Sequence, residues 1–246
     1  LMKYTALTIA ASDTSGGAGI QRDLKSFHDN GIWGLSVITG ITAQSFERVF
    51  YSNPLSTTEV EIQLKTVFDN FKIDATKIGV IYNRKIMELI SHYLQKYSQK
   101  NVIIDPIISA SDSTKFLLKK DEEFFKEKFL ANADLLTPNI PEAELLSQKI
   151  ITTENEIKAA GKFLSEKYNC YVLMKGGHFI NKKTDKIVDF LIGKNVEKEF
   201  TSPKKKLVKS HGTGCLLSSA IAANLAKGMD ISAAVLLAKK YFYTQV

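Results

Sequence analysis

The stretch His211-Gly212-Thr213-Gly214-Cys215, with the apolar run Leu216 to Lys227 behind it, constrains this chain more than any other. Two glycines two residues apart open a segment whose apolar positions Leu217, Ile221 and Leu225 recur every four residues. That pattern predicts a glycine-rich turn feeding the N-terminus of an amphipathic helix. Such a turn points free backbone N–H groups and the positive end of the helix dipole at one spot, which suits a phosphate. Cys215 falls in the first helical turn, where the same field favours a thiolate. An ordinary loop, with glycines for the bend and a cysteine for packing, accounts for these five residues equally well.

At 246 residues, 44% of them apolar and 24% charged, the chain has the material for one large domain or two small ones. No apolar run approaches the roughly 20 residues of a membrane helix. Tyr4 to Ala11 is too short for a secretory signal and runs on into turn residues. Leu1 ahead of Met2 reads as an addition, with Met2 the expected start. Two cysteines, Cys170 and Cys215, are too few for a disulfide framework or a zinc site, so the expected setting is the cytoplasm. The net charge of +7 comes from scattered lysines, and the one tight cluster, Lys204-Lys205-Lys206 with Lys209, has no aromatic residues between them. A polyanionic nucleotide suits that balance better than a nucleic acid.

In chain order, the β-rich stretch Tyr4–Ala11 stops at Ser12-Asp13, the turn Thr14 to Ile20 follows, and an amphipathic helix runs from Gln21 to Asn30. Asp23 is expected in its first turn. A second strand, Leu35 to Thr42, ends at Ala43-Gln44, where open α/β sheets place ligands. Thr58-Glu59-Val60-Glu61 has the form of a capping box. Lys77 to Ile81 reads as a short strand, Ile86 to Tyr97 as a helix, and Asn101 to Ile104 as a fully buried strand closed by Asp105-Pro106. Asp134 to Thr137 repeats that logic before Pro138-Asn139-Ile140-Pro141-Glu142, where Asn139 and Glu142 can share one spot at a helix start. Thr153 to Glu156 is a second capping box, for a helix reaching Tyr168; Cys170 to Met174 is a strand ending in Lys175-Gly176-Gly177-His178. Ile187–Ile192 and Val196–Phe200 form a hairpin about Gly193-Lys194-Asn195. The alternation predicts one α/β domain over residues 1–246, with a mostly parallel sheet and helices on both faces.

Asp13, Gln44, Asp105, Asn139, Glu142 and Lys175 all fall at predicted strand ends, which share one rim in such a sheet. Carboxylates, a lysine and a backbone cradle are the inventory of phosphoryl transfer. The residues themselves therefore lead to a nucleotide-dependent kinase or a phosphate-binding protein.

Beyond the residues stands a resemblance. Thr8-Ile9-Ala10-Ala11-Ser12-Asp13, Gly16-Gly17-Ala18-Gly19-Ile20-Gln21, Asp23-Leu24-Lys25, Ser36-Val37-Ile38-Thr39 and Thr42-Ala43-Gln44 closely resemble the hydroxymethylpyrimidine/phosphomethylpyrimidine kinases. So do Lys77-Ile78-Gly79, Asp105-Pro106, Thr137-Pro138-Asn139 with Pro141-Glu142-Ala143, Lys175 to His178, and His211 to Cys215, in order along nearly the whole chain. The resemblance implies the three-layer α/β/α fold of the ribokinase-like superfamily. It implies ATP-dependent phosphorylation of 4-amino-5-hydroxymethyl-2-methylpyrimidine, then of its monophosphate, in thiamine synthesis. It further implies that Gln44 and Asp23 read the aminopyrimidine, with Ala18 and Val80 along the ring. Gly212, Thr213 and Gly214 would form the anion hole, and Cys215 would be the catalytic base. Lys175, Asn139 and Glu142 would serve ATP and Mg²⁺, with Asp105 nearby; Asp105 and Glu142 are the metal candidates. A homodimer is implied as well. Ala11, Val80, Leu216 and Asp112-Ser113 depart from the family pattern, and the chain ends at Val246 short of the family's C-terminal tail. A pyridoxal kinase and a non-catalytic pyrimidine-binding module are the competing readings.

Overall fold

The structure, a computed structural model, describes residues 3–110, 112–176, 186–203 and 212–245. The lysine cluster at 204–209, Gly177-His178 and His211 lie outside the described residues.

The apolar stretches become one nine-stranded sheet in the order β3-β2-β1-β4-β5-β6-β7-β8-β9. Its strands are β1 (Thr5–Asp13), β2 (Trp33–Gln44), β3 (Val49–Pro54), β4 (Ala75–Ile78), β5 (Val102–Ile104), β6 (Leu135–Leu136), β7 (Tyr171–Met174), β8 (Lys186–Gly193) and β9 (Val196–Pro203). The pairings from β2 through β1, β4, β5 and β6 to β7 are parallel, as their uninterrupted apolar runs require. β3 on one edge, and β8 with β9 on the other, pair antiparallel. Lys194 and Asn195 close the β8–β9 hairpin with φ of 47° and 69°, the positive pair a two-residue turn needs.

The helices are α1 (Gly19–Asp29), α2 (Thr57–Asn70), α3 (Arg84–Lys96), the single turn α4 (Glu122–Phe124), α5 (Ile140–Ser147), α6 (Glu154–Tyr168), α7 (Thr213–Ala226) and α8 (Ile231–Gln245). Alternation along each strand divides them into two layers. Leu7, Ile9, Ile104 and Val172 face one core with α2, α3, α5 and α6. Ala6, Ile103, Leu135 and Leu173 face the other, with α1, α7 and α8. Each fully buried Leu or Ile contributes about 1.5–3 kcal/mol, so both faces are firmly held. The three-layer expectation is met, and no described helix is long and apolar enough to cross a membrane.

Three local expectations need correction. The capping box of α2 is Ser56 with Glu59, not Thr58 with Glu61. The Leu55 N–H is still bonded to the Thr39 carbonyl of β2, so Ser56 is where the chain first turns. α7 is not amphipathic: every residue from Cys215 to Ala226 is buried. Its alanines and serines let the sheet, α1 and α8 approach it closely. Asp23 sits in the second turn of α1, because that helix starts at Gly19.

The strand order reverses at β1, which has β2 on one side and β4 on the other. Open α/β sheets bind ligands in the crevice beyond the carboxyl ends of such strands.

Candidate active site

A cavity of about 850 Å³ occupies that crevice. Asp13, Gln44, Asp105, Asn139, Glu142 and Lys175 all line it, as do Ala18, Val80 and Gly212 to Cys215. The rim read from the strand ends thus lines one cavity.

The floor is built from two glycine turns pressed together. Gly212 caps α7 with φ of 74°, and a Cβ on it would stand 1.7 Å from the Gly17 carbonyl oxygen. Only glycine meets both demands. Gly212 has no side chain to cap α7, and Gly212, Thr213 and Gly214 at the helix start line the cavity. A Cβ on Gly214 would lie 3.3 Å from Lys175 Nζ and 3.5 Å from an Asp105 carboxylate oxygen. The helix start, the lysine and the aspartate therefore surround one space, and the arrangement suits a phosphoryl group.

Lys175 follows β7 and is drawn to the rim by a backbone bridge to Asn139. Its ammonium donates to Asp105 at 2.8 Å. Asp105 also accepts from Thr137 Oγ1 at 3.0 Å and from Ser218 Oγ at 3.3 Å. Burial would raise the Asp105 carboxyl, but the ammonium groups of Lys175 and Lys77 outweigh it and hold the group below the usual carboxylate range.

Asn139 and Glu142 share one spot, as the spacing predicts, by bonding each other. The Glu142 N–H donates to Asn139 Oδ1 and the Asn139 N–H to Glu142 Oε2, both at 2.8 Å. Burial pushes the Glu142 carboxyl up to about 7; Lys175 pulls it down and Asp105 pushes it further up.

Cys215 overturns one expectation. The helix field was expected to favour a thiolate, yet burial pushes this thiol up to about 11. Lys77 and the Gly19 N–H act to lower it, and Asp23 and Asp105 to raise it. Desolvation wins, and the resting group is a thiol.

At the other end of the cavity, Gln44 closes β2. Its N–H and carbonyl are both bonded to the Thr14 hydroxyl at 2.9 Å, which fixes the backbone beneath the amide side chain. Ala11, Val80, Tyr82 and Phe116 form a small apolar cluster beside it. Three of the residues that depart from the family pattern thus have clear settings: Ala11 and Val80 shape this wall, and Leu216 is fully buried. Of the remaining two, Ser113 lines the cavity and Asp112 accepts from the Val49 N–H at 2.8 Å and the Thr114 N–H at 2.9 Å, tying the loop before Phe116 to β3.

Asp23 does not reach the ligand space. It is 0% exposed, and its carboxylate is taken by Lys77 at 2.8 and 3.0 Å, by Thr8 Oγ1 at 2.6 Å and by the Ser219 hydroxyl. A carboxylate so occupied has nothing left to read a pyrimidine. Reading the sequence also passed over Lys77, Ser218 and Ser219, and over the buried Asp189–Lys239 pair at the far end of the cavity. Lys77 did leave a signal, as a lone charge inside the buried strand Ala75-Thr76-Lys77-Ile78.

Among the described residues no three His, Cys, Asp or Glu side chains gather to hold a metal. Asp105 and Glu142 both line the cavity, and Mg²⁺ takes one or two carboxylates and fills its shell with phosphate oxygens and water.

Known proteins of this shape bear directly on the site. The family model for phosphomethylpyrimidine kinase matches residues 13–246. The hydroxymethylpyrimidine/phosphomethylpyrimidine kinase of Haemophilus influenzae is 37% identical over 237 residues, 96% of this chain and 88% of that one. The crystal structure of phosphomethylpyrimidine kinase from Clostridium difficile superimposes with a TM-score of 0.86 at 38% identity, covering 99% of each chain. An ADP complex of Bacillus subtilis pyridoxal kinase gives the same TM-score at 32% identity, covering 96% of this chain and 89% of that one. With a family model matched over residues 13–246 and relatives 37–38% identical along nearly the whole chain, the protein belongs to the phosphomethylpyrimidine kinase family.

Proposed function

We propose that this chain transfers the terminal phosphoryl group of ATP to the hydroxymethyl oxygen of 4-amino-5-hydroxymethyl-2-methylpyrimidine, and a second one to the resulting monophosphate, in thiamine biosynthesis. The observation that carries the reading is the single cavity. It joins the wall at Ala18, Gln44 and Val80 to the glycine turn at Gly212, Thr213 and Gly214, with Cys215 on its lining as well.

Gln44 offers a donor and an acceptor, the pair that recognises a ring nitrogen beside an exocyclic amine. The α7 N–H groups and Lys175 meet the charge on the transferring group. Because phosphoryl transfer passes through a loose transition state, positioning and charge neutralisation matter more than the base. Cys215 is a thiol at rest, so its proton must leave before it can accept the hydroxymethyl proton. Removing it lowers turnover and leaves nucleotide binding intact. Mg²⁺ entering with ATP would be held by Glu142, with Asp105 behind it, and supplies charge neutralisation at the phosphates. Both oxygens of Asp105 are already engaged, so Glu142 is the better ligand. A cytoplasmic homodimer belongs to the same proposal, and sedimentation tests the subunit count.

The test is ATP consumption with hydroxymethylpyrimidine, its monophosphate and pyridoxal offered separately. Turnover on both pyrimidines with little on pyridoxal is expected. A pyridoxal preference would move the chain toward the activity named for the Bacillus relative. Pyrimidine binding without any turnover would make it a binding module.

A further inference from the structure

The catalytic reading leaves unused the most deeply buried charges of the site. Lys77 on β4 and Asp23 on α1 are both 0% exposed and form a salt bridge of 2.8 Å beneath the cavity floor. Burying such a pair costs several kcal/mol per ion, and apolar residues in its place are often as stable. A purely structural part is therefore a weak account of it.

Its surroundings are specific. Asp23 accepts from Thr8 on β1 and from Ser219 on α7. Ser219 Oγ also lies 2.6 Å from the Cys215 carbonyl oxygen, so the pair is fastened to the turn that carries the thiol. Gly79 leaves room for the lysine, since a Cβ there would sit 3.0 Å from Lys77 Nζ. Lys77 and Cys215 both line the cavity.

We infer that Lys77 is a positioning residue for phosphoryl transfer: locked in place by Asp23, its ammonium is the built-in counter-charge of the Cys215 sulfur. The charged groups around that sulfur, among the described residues, are Lys77 from β4, Asp23 from α1, Asp105 after β5 and Lys175 after β7. α7 itself carries none. Lys175 is paired with Asp105, whereas Lys77 is held by Asp23, which shares Ser219 with the Cys215 carbonyl. Asp23 has two effects, holding Lys77 in place and cancelling part of its charge.

Neutralising the two partners must therefore move the thiol in opposite directions. The probe is iodoacetamide alkylation of Cys215 against pH, followed on the Cys215 peptide by mass spectrometry so that buried Cys170 does not interfere. Asp23→Asn leaves Lys77 uncancelled and should lower the alkylation midpoint by about one pH unit. The pair replacement Lys77→Met with Asp23→Asn should raise it by about one unit, and it tests the inference even where the single variant fails to fold. The same double variant should lose about tenfold in kcat with the KM for ATP within about twofold.

Folded variants whose midpoints both coincide with the unmodified protein would overturn the inference and leave the pair structural. This kinetic arm rests on the proposed kinase reading, whereas the alkylation arm does not. Full turnover by Cys215→Ser would sink the catalytic base while the alkylation result stood.

Discussion

Two lysine–aspartate pairs stand at the carboxyl end of this sheet with the same nitrogen–oxygen distance of 2.8 Å. Lys175–Asp105 opens on the cavity, with the lysine side chain 14% exposed; Lys77–Asp23 is sealed at 0% on both sides. Lys175 lines the cavity, and among the described residues its ammonium bonds Asp105. Asp23 has every lone pair committed to Lys77, Thr8 and Ser219. Identical chemistry, set one layer deeper, changes from a binding group into a fixed field. The difference teaches that a carboxylate's distance from the ligand space decides its role more than its presence near a family motif.

The largest expected effect breaks the open pair. Lys175→Ala should lower kcat/KM by roughly 10²–10³, the usual loss when one charge-stabilising donor leaves a phosphoryl or oxyanion site; steady-state kinetics checks it. Breaking the sealed pair should act on the fold as well as on the thiol beside it. Asp23→Ala leaves the Lys77 ammonium buried and unpaired, at a cost of about 3–5 kcal/mol of stability by denaturant titration.

Glu142 sharpens the comparison on the open side. Its carboxyl titrates at about 7, above the ordinary value, because burial disfavours the charge. Below that pH it carries a proton and cannot attract Mg²⁺, so the affinity for Mg²⁺-ATP should rise between pH 6 and 8 and then level off. Glu142→Gln should flatten that dependence, as equilibrium titration of the nucleotide would show. At the acceptor end, Gln44→Ala should raise the pyrimidine KM about tenfold with a smaller change in kcat, from the loss of a paired donor and acceptor. The smallest effect belongs to Asp112→Ala, which frees the loop before Phe116 from β3. The acceptor KM should change by no more than about threefold, with about 1 kcal/mol lost in stability.

The rim was legible in the sequence because each polar residue interrupts an apolar strand, and parallel topology brings strand ends together. Asp105, Lys175 and Gln44 were placed by that argument alone. Asp23 was misread because a helix position near a conspicuous motif does not show which way the carboxylate turns. Its partners, Lys77 and Ser219, are 54 and 196 residues away in the chain. The α7 pattern misled for a different reason. Leu217, Ile221 and Leu225, four residues apart, look like one apolar face, but Ala220, Ala222 and Ala223 are buried as well. β3 carried no signal at all, since its exposed Phe50 and Tyr51 sit side by side and break the alternation expected of an edge strand. Cys215 shows the limit of local electrostatics: the helix start was recognised, but the burial that outweighs it arises only once the chain is folded.

The contrast between the open and sealed pairs is tested most directly by measuring the ATP dissociation constant and the unfolding free energy side by side in Lys175→Ala and Asp23→Ala. The account predicts that Lys175→Ala weakens ATP binding at least about tenfold with under about 2 kcal/mol lost in stability. It predicts that Asp23→Ala loses about 3–5 kcal/mol while its folded fraction binds ATP within about twofold of the unmodified protein. The reverse pattern, with ATP affinity following Asp23 and stability following Lys175, would contradict it.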